Sequence, residues 1–144
     1  MIDRAIMDDI NLARESILNS NNSVVVVKNG IFLSKKAGNG IKPIIETIQE
    51  LKNKIHGSII GDKILGRASA LLCVYSKVVG VYSPQSTKTA ISILLENNIV
   101  YKTDKIIPFI KNKNEDDICP FEKMIENIEL PIEAYKILKQ NIIK

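Results

Sequence analysis

The chain has no tryptophan, a single histidine (His56) and two cysteines (Cys73 and Cys119) among its 144 residues. Two cysteines cannot build a disulfide framework, and with one histidine they cannot supply ligands at zinc spacing. No metal or other cofactor is therefore expected. Aromatic residues make up only 5% of the sequence, so the core must be aliphatic, drawn from Ile, Leu and Val. The apolar stretch "ALLCVYSKVVGVY" is broken by Ser76 and Lys77 and falls short of the ~20 residues that cross a bilayer. The opening "MIDRAIMDDINLARES" lacks the basic-then-apolar profile of a secretory signal. These absences lead to the expectation of a cytoplasmic protein with no membrane partner.

The 45% hydrophobic and 25% charged content argues against disorder, and the length suits one domain over residues 1–144. The net charge of +4 comes from lysines spread along the chain. With no basic block and little aromatic surface between the lysines, nucleic-acid binding is not expected.

Apolar residues from Ile2 to Leu18 recur along one face and predict a helix, with acids gathered in its first half. In "SVVVVKNGIFLSKK", two apolar runs flank Asn29-Gly30, the strongest short-range signal for a hairpin. The continuous run Val24–Val27 predicts a strand covered on both faces. "IKPIIETIQELKNK" reads as a helix with Pro43 in its first turn. A short strand "SIIG" and a third helix follow, the helix carrying Ile64, Leu65, Ala68, Leu71, Leu72 and Tyr75 on one face. "VVGVYS" reads as a strand, "STKTAISILLENN" as a helix with a Ser or Thr cap, and "IVYKTDKII" as another strand. After a polar loop, "KNKNEDD", helices are expected from Pro120 and from Pro131 through "EAYKILKQNII". Alternating helices and strands need crossover connections, which predicts an α/β fold with a partly parallel sheet and helices on its faces.

Two strings carry chemistry. "GDKILGRA", Gly61–Ala68, nearly matches a phosphate-binding loop, but Arg67 stands where that loop needs Lys, and Ala68 cannot hold magnesium. Two readings remain. Lys63 and Arg67 could add positive charge beside a helix N-terminus that holds an anion. Alternatively Asp62 caps the helix and pairs with Lys63 or Arg67, while Gly66 permits close packing. In "CPFE", Cys119 precedes a helix whose dipole would favour a thiolate, and Glu122 stands where a capping-box acid reaches back to the backbone. Cys73 reads as a core residue, His56 as a helix C-terminus, and Asp116-Asp117 as solvated surface.

Together "GNGIKP", "GDKILGRASALL" and "KNKNEDDICPFE", with the element order, resemble an uncharacterised prokaryotic family, the domain-of-unknown-function family numbered eighteen ninety-three. The resemblance implies a cytidine deaminase-like fold, a three-layer α-β-α sandwich around a mixed sheet. A zinc deaminase places His-x-Glu at the start of the helix after the hairpin, and Pro-Cys-x-x-Cys at the start of the next. Here those places read "GIKP" and "GDKILGR", with no zinc ligand and no catalytic Glu. The resemblance further implies that the two helix starts converge. Gly40, Lys42, Asp62, Lys63, Gly66 and Arg67 would then surround a small polar or anionic ligand of nucleotide or sugar-phosphate type.

Three functional readings follow. One is a zinc-free ligand-binding protein. Another is a metal-independent enzyme using Cys119 as nucleophile or sulfur carrier, with Glu122 or Asp62 moving the proton. The last is a non-catalytic interaction module. A homodimer is expected because related folds often associate.

Overall fold

The computed structural model describes residues 3–142. The predicted helix start at Ile2 and helix end at Ile143 lie outside the described residues. The first helix, α1, spans Arg4–Asn19 and is capped by the Asp3 side chain, which accepts from the Ala5 N–H. Strands β1 (Val24–Lys28) and β2 (Ile31–Lys36) form the hairpin. Asn29 (φ 51°) and Gly30 (φ 78°) both adopt the left-handed backbone that its two-residue turn demands. The Gly30 N–H donates to Asp9 Oδ1 at 2.9 Å, pinning the turn to α1.

Helix α2 (Lys42–Leu51) passes into a 3-10 turn at Lys52–Ile55, followed by β3 (Ile59–Asp62), α3 (Arg67–Tyr75), β4 (Gly80–Thr87) and α4 (Lys88–Glu96). Thr87 supplies the expected cap of α4, its hydroxyl accepting from the Ala90 N–H at 3.1 Å. Strand β5 (Val100–Ile107), the short α5 (Pro120–Met124) and α6 (Pro131–Ile142) complete the order.

The sheet runs β2-β1-β3-β4-β5. β1 is antiparallel to both neighbours, whereas β3, β4 and β5 are parallel, so the sheet is mixed and changes direction at β3. Alternate β1 residues feed two cores, and all of Val24–Val27 are buried. Val25, Val27, Ile59 and Tyr82 pack under α1 with Ile10, Ala13 and Ile17. Val24, Val26, Ile60 and Val81 face the other helical layer, which contributes Ile44 and Ile45 of α2, Leu72 of α3, Leu94 of α4 and Leu138 of α6. The architecture is the predicted α-β-α sandwich with a mixed sheet.

Two expectations are corrected. Ile64 and Leu65 do not belong to α3, which begins only at Arg67. Leu65 instead bridges β4, donating its N–H to the Gln85 carbonyl at 2.8 Å and accepting from the Thr87 N–H at 3.0 Å. Its helical spacing with Ala68 was met by an extended segment, because two backbone hydrogen bonds to β4 hold it there. β4 also continues beyond Ser83 through Pro84. β3 pairs β4 only as far as Tyr82, and beyond Pro84 the Leu65 bridge takes over on that side. No helix among the described residues is long and apolar enough to cross a membrane.

Candidate functional site

A cleft of about 720 Å³ opens at the C-terminal end of β3, where the sheet changes direction. Its walls come from four segments: Gly38–Ile41 before and at the start of α2, Asp62–Ile64 after β3, Ala68 and Ser69 in the first turn of α3, and Ile110–Asn114 with Cys119–Glu122 from the C-terminal region. The starts of α2 and α3 therefore share one cleft.

Asp62 ends β3 and is 7% exposed, although a carboxylate buried this deeply normally has a cationic partner. It forms no ion pair among the described residues. Burial pushes its pKa from 3.8 to about 7; the Ser69 hydroxyl and the Ile64 and Lys63 amides act the other way, and the Glu122 charge adds to the rise. Asp62 can thus offer either a proton or a lone pair near neutrality. Cys73 is completely buried, and its thiol is raised well above its usual range by burial and by the Asp62 charge.

Glu122 is used differently. Its two carboxylate oxygens accept from the first amides of α3, Oε1 from the Arg67 N–H at 2.8 Å and Oε2 from the Ala68 N–H at 2.7 Å. Gly66, the residue before α3, contributes no side-chain cap, so an acid 55 positions along the chain satisfies these orphan donors. Burial raises the Glu122 pKa, against the lowering effect of both amides and the Arg67 charge.

Of the residues singled out in the sequence, Gly40, Asp62, Lys63, Cys119 and Glu122 line the cleft. Lys42, Gly66 and Arg67 do not. Lys42 is exposed at the start of α2. Gly66 lies beneath Glu122. The Arg67 guanidinium turns to the end of α5, where Nε donates to the Ile125 carbonyl at 3.1 Å and Nη2 to that of Ile128. Arg67 is therefore a tether, and the Asp62–Arg67 pair suggested by the sequence does not form. Nor does Asp62 cap α3, because four residues of loop separate them. Glu122 does not close a capping box on its own helix either; it caps α3.

Sequence reasoning missed Ser69, Ser23, Phe121 and the loop lysines Lys111 and Lys113, all of which line the cleft. Ser69 had a readable signal: it lies one turn into the helix after the motif. The loop "KNKNEDD" carried none, since its polarity also suits plain solvent exposure. Cys119 is half-buried, and its N–H donates to the Ile110 carbonyl at 2.8 Å. Among the described residues no group of three or more His, Cys, Asp or Glu side chains is arranged to hold a metal ion.

A family model described as a domain of unknown function (DUF1893) matches residues 13–142. The chain belongs to the DUF1893 family. The crystal structure of a DUF1893 family protein from Thermotoga maritima, TM1506, is similar at a TM-score of 0.85 with 23% identity, covering 98% of this chain and 92% of that one. At this identity the likeness speaks for the fold. A dCMP deaminase from cyanophage S-TIM5 has a TM-score of 0.46 and 15% identity, over 74% of this chain and 100% of that one. RibD from Acinetobacter baumannii has a TM-score of 0.45 and 16% identity, over 69% of this chain and 34% of that one. No curated protein matches this DUF1893 chain.

Proposed function

We propose that the cleft at the end of β3 binds a small polar molecule with an anionic group, of nucleotide or sugar-phosphate type, without zinc. The observation that carries this reading is Asp62, a buried carboxyl group with no cationic partner among the described residues, at the wall of a cleft of about 720 Å³. Such a group costs stability unless something uses it. Lys63, Lys111 and Lys113 line the same cleft and provide positive charge for an anion. Gly38–Ile41, leading into α2, form the opposite wall.

The amides of α3 have no role in holding the anion, because Glu122 already occupies them. This supports the zinc-free reading as well. At the two helix starts where a zinc deaminase carries its ligands, this chain has Gly40–Pro43 and Gly66–Ser69, neither with a His or Cys. The donor set does not fit the metal. Two free cysteines, one of them half-buried, suit a reducing cytoplasm.

The test is a thermal-shift titration with nucleotides and sugar phosphates on wild type and Asp62→Asn. A rise in melting temperature that the variant loses supports the site. No rise with any compound, or an equal rise in both proteins, removes it. A catalytic reading rests on Cys119 and Asp62 lining one cleft, with Cys119 as the nucleophile or sulfur carrier and Asp62 taking its proton. With Glu122 engaged at α3, Asp62 is the carboxyl group left for that task. A Cys119 alkylation rate unchanged in Asp62→Asn across pH 5–9 would count against it.

A further inference from the structure

The other ends of α2 and α3 border a second cleft, of about 510 Å³. Lys52, His56 and Lys77 line it with Gln49 and Asn53, and no acidic residue does. None of the three basic side chains forms an ion pair among the described residues. One wall is aromatic: Tyr75 of α3 stacks on Tyr135 of α6 with ring centroids 4.3 Å apart and planes 10° from parallel.

Positive charge at helix C-termini is favourable without any ligand, through the helix dipole. The backbone adds a second observation. Lys52 follows α2 at φ 52° and ψ −128°, a region that glycine enters freely and other residues enter only under strain. Lys77, just beyond α3, has φ 58°, in the left-handed region where glycine is the usual occupant. Lys54 lies between them in the chain, is exposed as they are, and has no positive φ. Two lysines therefore stand at glycine positions, and both border the same acid-free cleft.

We infer that this second cleft is a binding site for a small phosphate-bearing molecule. Lys52, Lys77 and His56 surround the phosphate, and the Tyr75–Tyr135 wall meets the less polar part of the ligand. Lysine is well suited as a compact charge for phosphate, and the volume lies within the range of small-molecule sites.

Glycine at either position relieves the backbone, so the test variants should fold at least as well as wild type. Inorganic pyrophosphate and adenosine monophosphate are titrated by calorimetry into wild type, Lys52→Gly, Lys77→Gly and Lys54→Ala. The expected result is saturable binding of at least one probe, weakened tenfold or more in Lys52→Gly and in Lys77→Gly. Their melting temperatures should be equal or higher, and Lys54→Ala should bind within twofold of wild type. Absence of binding at millimolar probe overturns the inference. So does an equal loss in Lys54→Ala, which means diffuse charge only. Binding that both Lys52→Gly and Lys77→Gly retain at wild-type strength places the probe elsewhere and likewise overturns it.

Discussion

The carboxylate of Glu122 lies where a side chain at residue 66 would have to be: a Cβ on Gly66 would sit 2.0 Å from Glu122 Oε1 and 2.5 Å from Ile110 Cδ1. The backbone at Gly66 (φ −113°, ψ −167°) is one that any residue adopts. Glycine is needed there for close approach alone. The missing Cβ lets an acid from α5 reach the amides of α3, joining the C-terminal region to the wall of the cleft.

Gly66→Ala should therefore displace Glu122 and leave the Arg67 and Ala68 amides without their partner. Glu122→Ala removes the same partner directly, at a cost of roughly 1–3 kcal/mol for a charged group on two buried amides. Because both changes break one interaction, the double variant should lose clearly less than the sum of the singles. Urea denaturation of the four proteins checks this. Strict additivity would mean that the carboxylate contributes little as a cap.

Asp62 makes a pH-dependent prediction. Its pKa is raised on folding, from 3.8 to about 7. Below 3.8 both folded and unfolded chains hold the proton, and the group costs nothing. Between 3.8 and about 7 the folded chain keeps a proton that the unfolded chain has released, so stability falls as pH rises and then levels off. Asp62→Asn does not titrate. Without ligand it should exceed wild type above pH 7 by an amount on the order of a few kcal/mol, and the gap should close towards pH 4. Paired denaturation curves over this range measure the difference, with the remaining carboxylates cancelling. A constant gap would show that Asp62 is ionised throughout.

Much of the fold was legible because its signals are local. Asn29-Gly30 needs two residues at positive φ, and Thr87 bonds an amide three residues on. The cleft was only partly legible because its decisive contacts are distant in sequence. Nothing near Arg67 shows that its guanidinium binds the carbonyls of Ile125 and Ile128, or that Glu122 reaches across to α3. Leu65 misled for the same reason: a β4 strand some twenty residues away sets its conformation. Gly66 was noted as a site of close packing, but which group packs on it could not be read from the motif.

Arg67 should behave as a tether. Arg67→Ala removes the donor shared by two carbonyls at the end of α5, and Arg67→Lys cannot restore the planar two-point contact. Both should lower the melting temperature, by an amount corresponding to roughly 1–3 kcal/mol. Neither should change the affinity of a ligand held at Asp62 by more than the loss of folded protein accounts for. Affinity measured well below the melting temperature separates these effects. A large affinity loss in well-folded Arg67→Lys would return Arg67 to the cleft.

The two thiols should differ sharply in reactivity. Cys119 is half-buried and borders the cleft, whereas Cys73 is fully buried in α3, where burial and the Asp62 charge both disfavour its thiolate. The thiolate is the reactive species, so accessibility and ionisation act in the same direction. Native protein treated with iodoacetamide should carry one label, at Cys119, by peptide mass spectrometry, with Cys73 modified only in denaturant. A ligand that fills the cleft should slow labelling of Cys119 and leave Cys73 unchanged. Native labelling of Cys73 at a comparable rate would mean that α3 opens readily, which its tight capping by Glu122 argues against.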